Sequence, residues 1–72
     1  SFKEQRELEQ LPELIAALET EQAEISAKLA DAALYRNQPD QAQKLNQRYA
    51  EIDELLISAL ERWEAMEARA KG

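Results

Sequence analysis

Two apolar stripes of nearly equal length organise this sequence. Within each stripe the apolar residues recur at alternating spacings of three and four, which is the period of α-helices that pack along a narrow seam. The first stripe comprises Leu8, Leu11, Ile15, Leu18, Gln22, Ile25, Leu29 and Ala32, and the second comprises Ala42, Leu45, Tyr49, Ile52, Leu56, Ala59, Trp63 and Met66. Because the break between the stripes is short, the pattern predicts an all-α fold, an antiparallel two-helix coiled-coil hairpin.

The register of this hairpin follows from matching the two stripes outward from the turn. Placing Ala32 opposite Ala42 brings Gln22 opposite Ile52. Gln22 is the one polar residue in the first stripe, and a polar residue in a coiled-coil seam favours a single alignment of the helices. We therefore interpret Gln22 as a position that fixes the register.

Two prolines divide the chain. Pro12 cannot donate a backbone hydrogen bond and disturbs the preceding turn, so we expect a kink or break near Leu11, with Pro12 as the first residue of the main helix. Pro39 in the same way prevents one continuous helix through both stripes. The sequence predicts a single domain over 1–72 with a short helix over about 2–10 that packs at the base of the hairpin, a long helix over 12–32, a turn over 33–39 and a long helix over 40–70.

The predicted turn has apolar content of its own. Asp31 is a residue type that caps helix N-termini, and it precedes a short run of helix-forming residues. Leu34 and Tyr35 are too apolar for a freely exposed loop. We expect a short helical or 3₁₀ turn that folds both side chains back onto the end of the hairpin.

Composition excludes several classes of function. The 72 residues contain no cysteine and no histidine, and Gly72 is the only glycine, so thiol chemistry, the usual zinc ligands and a glycine-rich phosphate loop are all absent. The clusters of Asp and Glu are interpreted as solvated helix faces rather than metal sites. We expect no enzyme activity and no cofactor in this chain. We also expect a cytoplasmic location without a membrane span, and we expect the chain to be part of a longer protein. The hairpin should be monomeric, with self-association as the alternative.

Charge is unevenly distributed along the predicted rod. The net charge is −6, but residues 25–50 contain four basic and two acidic residues, so the turn end is basic and the opposite end is acidic. Lys28 and Arg48 fall on the same flank of the seam, where like charges cost some stability and a phosphate backbone would relieve them. Ordinary solvated charges explain this pattern as well. The candidate nucleic-acid contacts are Lys28, Arg36, Lys44, Arg48 and, as a stacking partner, Tyr35.

The first twelve residues, Ser-Phe-Lys-Glu-Gln-Arg-Glu-Leu-Glu-Gln-Leu-Pro, resemble the start of the C-terminal domain of ABC-F ATPases, and of the Uup group in particular. The resemblance continues through Ile15, Leu18 and Glu19. It reappears at Leu29–Tyr35 with Pro39 and at Arg62-Trp63-Glu64, so it covers essentially the whole chain. Phe2 replaces the more usual tyrosine, and Ala32 stands where many members have proline.

The resemblance implies a function that composition does not. ABC-F proteins resemble tandem ATPases without a transmembrane domain that act on ribosomes, and the Uup group is linked to DNA transactions. It implies a DNA-binding coiled-coil domain attached to a parent ATPase, which would use ATP and magnesium outside this chain. Structured RNA or the ribosome is a further partner that the resemblance implies. The alternative is a structural hairpin that docks the parent on the ribosome or on its own ATPase domains, with Leu14 and Leu55 as contacts.

Overall fold

The computed structural model describes residues 2–71, and within this range the chain forms three α-helices. These are α1 (Phe2–Leu29), α2 (Ala32–Asn37) and α3 (Pro39–Lys71). The two long helices α1 and α3 pack against each other, and the short α2 contacts both of them at the turn. The molecule is a rod of 53 × 16 × 15 Å. The predicted all-α helical hairpin is confirmed.

The break expected near Leu11 is wrong, because α1 continues through Pro12 as one helix. Leu8 and Leu11 precede the proline and Ile15 follows it, yet all three pack in one cluster against α3. A break would carry the earlier residues off the seam, so tertiary packing outweighs the local cost of proline. Pro12 itself is exposed, and the lost hydrogen bond is therefore accommodated on the solvent side of the helix.

The turn also differs from the predicted boundaries. Helix α1 ends at Leu29 rather than at 32, and α2 occupies most of the predicted turn. Asp31 causes this ending, since its extended backbone interrupts the helix and its Oδ1 accepts a hydrogen bond from the Ala33 N–H at 3.0 Å. The expected helical turn and its cap are confirmed. Leu34 is half-buried, as expected, whereas Tyr35 is 48% exposed, so its side chain folds back onto the hairpin only in part.

The core is one seam divided into two clusters. The cluster nearer the base contains Leu8, Leu11, Ile15, Ala59, Trp63 and Met66. The cluster nearer the turn contains Leu18, Ile25, Leu29, Leu45, Tyr49, Ile52 and Leu56. The predicted register pairs Leu8 with Met66, Leu11 with Trp63 and Ile15 with Ala59, and all of these lie in the first cluster. It pairs Leu18 with Leu56, Ile25 with Tyr49 and Leu29 with Leu45, and all of these lie in the second cluster, so these six layers agree with the register. Ile52 lies at the centre of the second cluster and is 0% exposed.

Gln22 holds the two helices in this register. Its Nε2 donates a hydrogen bond to Asp53 Oδ1 at 2.6 Å and a longer one to the Tyr49 carbonyl at 3.5 Å. These acceptors lie on either side of Ile52, the residue that the predicted register places opposite Gln22. A slip of the helices would leave the amide facing apolar side chains, which costs free energy when the lost bonds are not replaced.

Burial predicts opposite outcomes for two isoleucines of α3. Ile52→Ala removes the most buried side chain of the seam and should lower the free energy of unfolding by about 2–5 kcal/mol. Ile57→Ala is the matched control, because Ile57 is 58% exposed and alanine is the better helix former, so its effect should stay below about 0.5 kcal/mol. Urea denaturation followed by circular dichroism measures both. Equal losses in the two variants would contradict the assigned seam.

The continuous α1 predicts that proline is unfavourable at position 12. Pro12→Ala restores a backbone donor within the helix and should raise the free energy of unfolding by up to about 3 kcal/mol. Thermal melts of the variant and the parent chain test this. A lower melting temperature in the variant would instead indicate that the proline itself makes a stabilising contact.

Candidate nucleic-acid interface

Three of the predicted contact residues are exposed cations near the turn. Lys28 lies in the last turn of α1, Arg36 in the last turn of α2, and Lys44 near the start of α3. Within the part of the chain that the structure describes, none of the three forms an ion pair. The C-terminal turn of a helix is its negative end, which favours the cations of Lys28 and Arg36 where they stand.

Lys28 and Lys44 lie on the same side of the hairpin. Glu21 and Arg48 meet across the seam, and Lys28 follows Glu21 by seven residues, which is two helical turns along the same face. Lys44 precedes Arg48 by one turn. The two lysines therefore extend this side towards the turn, one from each long helix. Together with Arg36 they form what we call the tip cations, Lys28, Arg36 and Lys44.

Arg48 does not belong to this set of free cations. Its guanidinium forms a two-pronged ion pair with Glu21, with N–O distances of 2.7 and 2.9 Å, and a second ion pair with Glu51 one turn along α3. The hydrogen bond from Arg48 lowers the pKa of Glu21, and the same bond raises the pKa of Arg48 above its usual value. The expectation of unrelieved repulsion between Lys28 and Arg48 is therefore wrong, since two carboxylates neutralise Arg48.

Tyr35 lies beside Arg36 in α2 and has nearly half of its side chain exposed. This exposure leaves part of the residue in contact with solvent at the turn end of the rod. Aromatic rings stack on nucleic-acid bases in many single-strand binding proteins. The arrangement keeps Tyr35 a candidate stacking residue, next to a cation that can contact the adjoining phosphate.

Ion pairs at the other end of the rod were missed by sequence reasoning. Arg62 forms a two-pronged pair with Glu7, at 2.7 and 3.1 Å, and Arg69 lies 3.6 Å from Glu4. The hydrogen bond from Arg62 lowers the pKa of Glu7. The signal was present in the sequence, because Arg48, Arg62 and Arg69 stand at multiples of seven from one another. That spacing places all three on the same edge of the seam.

No group of three or more Asp and Glu side chains among the described residues is arranged to hold a metal ion. None of the helices described combines the length and the apolar character that crossing a membrane requires.

Comparison with known proteins assigns a family. The model of the ABC transporter C-terminal domain matches residues 1–68 of the chain. The chain belongs to this family. The match spans nearly the whole chain and includes both long helices and the turn between them. No solved structure gives a significant match to the chain.

Curated relatives agree with this family. The ATP-binding protein Uup of Escherichia coli is 40% identical over 72 residues, which is 100% of this chain and 11% of the relative. The Uup-like ATP-binding protein of Haemophilus influenzae is 39% identical over 69 residues, covering 96% of this chain and 15% of the relative. The chain therefore spans only a small part of the length of the relatives it matches.

The Arg48–Glu21 pair predicts a pH-dependent contribution to stability. The pKa of Glu21 is lower in the folded chain than in the unfolded chain, so its stabilisation is present above the ordinary glutamate pKa of about 4.3 and is lost as the pH falls through the folded value. Glu21→Gln should therefore lower the melting temperature at pH 7 by a few degrees at most, as for exposed ion pairs. The difference between the two proteins should vanish near pH 2. Glu24→Gln on the same helix is the control.

Proposed function

We propose that this domain binds nucleic acid, with DNA as the preferred ligand, through the tip cations. One observation carries the proposal: Lys28, Arg36 and Lys44 are exposed and free of ion pairs, whereas Arg48, Arg62 and Arg69 are all held by carboxylates. Lys3 and Arg6 at the base are also exposed cations, but they stand among glutamates, whereas Asp31 and Asp40 are the only acidic residues in 25–50. The tip cations therefore provide the positive surface that a phosphate backbone needs. Membership of the ABC transporter C-terminal domain family is compatible with this role.

The chemistry of the tip favours contacts to the backbone rather than to base edges. Lysine carries a compact charge on a flexible stem, which suits a phosphate and discriminates little between sequences. Arg36 and Tyr35 add one guanidinium and one ring for phosphate contact and stacking. Binding is therefore non-sequence-specific, and structured RNA or the ribosome competes for the same surface.

The acidic base does not prevent this binding. At physiological ionic strength, charges separated by more than about 8 Å are largely screened, and the rod is 53 Å long. The carboxylates near the base are therefore screened from a ligand held at the tip. Asp31 and Asp40 are closer, and they limit the affinity that three cations can provide.

The rest of a longer, cytoplasmic protein supplies the nucleotide chemistry. The relatives are named ATP-binding proteins, and this chain covers only 11–15% of them. ATP and magnesium are bound by other parts of such a protein, and the hairpin adds affinity for nucleic acid to that ATPase. This division of roles explains why the chain itself has neither histidine nor a glycine-rich loop.

Reversal of two tip cations tests the proposal. Lys28→Glu with Lys44→Glu should abolish binding of a fluorescent DNA duplex, measured by anisotropy across a salt series. If all three tip cations contact phosphates, the parent chain should show a log K against log salt slope of about −3. Any residual binding by the variant should show a slope no steeper than about −1, because only Arg36 is left among the tip cations. Arg36→Gln alone should reduce the magnitude of the slope by about one.

Lys3→Glu with Arg6→Glu is the matched control, because it changes the net charge by the same amount at the base of the rod. This control should retain binding apart from a small uniform loss. Equal loss in both double variants would show that net charge alone governs affinity. Unchanged affinity in the tip variant would exclude the tip cations as the site.

A protein-docking role is the second candidate, in which the hairpin holds the parent on the ribosome or on its ATPase domains. Exposed aliphatic side chains in the half nearer the base favour it, since soluble helices seldom expose several together. These are Leu14, Leu55, Ile57 and Leu60. Retained ribosome binding in the tip-reversed variant, with loss on substitution of these residues, would support docking over nucleic-acid binding.

A further inference from the structure

One edge of the seam carries a ladder of facing side chains. The two-pronged pairs Arg48–Glu21 and Arg62–Glu7 lie on this edge and are separated by fourteen residues on both helices. Halfway between them the same positions are taken by Leu55 on α3 and Leu14 on α1. We call this edge the ladder face. From the turn towards the base its rungs are Lys28 with Gln41, Glu21 with Arg48, Leu14 with Leu55, and Glu7 with Arg62.

The leucine rung is the exception on this face. Leu14 is 49% exposed and Leu55 is 42% exposed, although an ion pair at this rung would complete the pattern of its neighbours. An ion pair placed there would face water without cost, whereas two leucines leave apolar surface in water. An apolar rung between two polar ones is the arrangement of a small interface centre with a charged rim.

We propose that the ladder face is a dimerisation surface whose occupant is a second copy of this hairpin. The proposed twofold axis runs along the length of the rods, so both tips point the same way. Each α1 rung residue then faces the α3 residue of the same rung in the partner. The leucine rungs of the two copies together form a cluster of four side chains, and each helix neighbours only antiparallel helices, as in four-helix bundles.

Charge selects this orientation over the opposite one. With the tips together, Glu21 faces Arg48 of the second copy and Glu7 faces its Arg62, so each carboxylate gains a second cation. With the tips at opposite ends and the axis through the leucine rung, Glu21 would instead face Glu7 and Arg48 would face Arg62. Like charges placed across an interface disfavour that arrangement, so charge complementarity specifies tips together.

The dimensions of the rod allow such an interface. A face of 53 × 16 Å is close in area to the roughly 800 Å² that each partner contributes to a standard interface. Only one rung is apolar, so the dimer is weak and forms at high concentration. This proposal does not rest on nucleic-acid binding. Leu55 lies on the third rung from the tip, and substituting it tests the dimer without removing a tip cation.

Sedimentation equilibrium up to about 1 mM chain tests the dimer. The parent chain should shift from 8.2 kDa towards twice that mass as concentration rises. Leu55→Glu, and separately Leu14→Glu, should raise the dissociation constant at least tenfold while circular dichroism retains the helix content. Leu60→Glu is the matched control: Leu60 is a leucine of the same helix, 43% exposed, on the other edge of the seam, and its substitution should leave the dimer intact.

A distance measurement tests the orientation. The chain has no cysteine, so Gln38→Cys places a single spin label at the turn. Tips that lie together give a label separation of about 20 Å, since neighbouring helices are 8–10 Å apart. Tips at opposite ends give about 50 Å from the helical rise. The proposal would be overturned by a monomer at all concentrations or by a label separation near about 50 Å. It would also be overturned if Leu60→Glu weakened the dimer as much as Leu55→Glu does, or if neither Leu55→Glu nor Leu14→Glu weakened it.

Discussion

Burial of one narrow apolar seam between α1 and α3 is the interaction on which the rest of this hairpin depends. A chain of this size buries few side chains, so each layer of the seam carries a large share of the stability. The strength of this constraint is visible at Pro12, where the helix continues because Leu8 and Leu11 must remain in line with Ile15. The hydrogen bonds of Gln22 then restrict the seam to one alignment. Everything at the surface takes its position from that alignment.

Most of this fold could be predicted from the sequence, because the two stripes repeat regularly and helix formers fill the positions between them. The errors fall where local rules compete with packing. The local propensity of Pro12 predicts a disturbed helix, but the apolar contacts of Leu8 and Leu11 with the seam keep α1 continuous. The end of α1 was placed three residues late, because the interruption comes from the Asp31 backbone and its cap rather than from a proline.

The charged side chains were harder to predict than the apolar ones. Apolar residues need only the right period, but an ion pair also depends on which carboxylate lies within reach across the seam. Arg48 counts as a basic residue of the turn region in a linear tally, yet in three dimensions Glu21 and Glu51 hold it. Within the described chain, Lys28, Arg36 and Lys44 are exposed cations without ion pairs, as the sequence predicts. Lys28 and Arg36 stand in the last turns of α1 and α2, and no carboxylate of the residues that the structure describes lies within ion-pair distance of Lys44. A count of charges along the sequence therefore identifies the basic end of the rod, but it overstates the number of unpaired cations there, because it includes Arg48.

A stiff rod with its turn far from its base has a mechanical consequence. Helix α1 begins at residue 2 and α3 ends at residue 71, so both of these residues lie at the base of the hairpin. The turn lies at the other end of the 53 Å rod. Because the buried seam and the hydrogen bonds of Gln22 favour one alignment of the two helices, we expect the hairpin to move as one body. A tilt of a few degrees at the base displaces Lys28 and Lys44 by several ångströms. The hairpin is thus built as a lever arm, in which small movements at one end become large movements at the other.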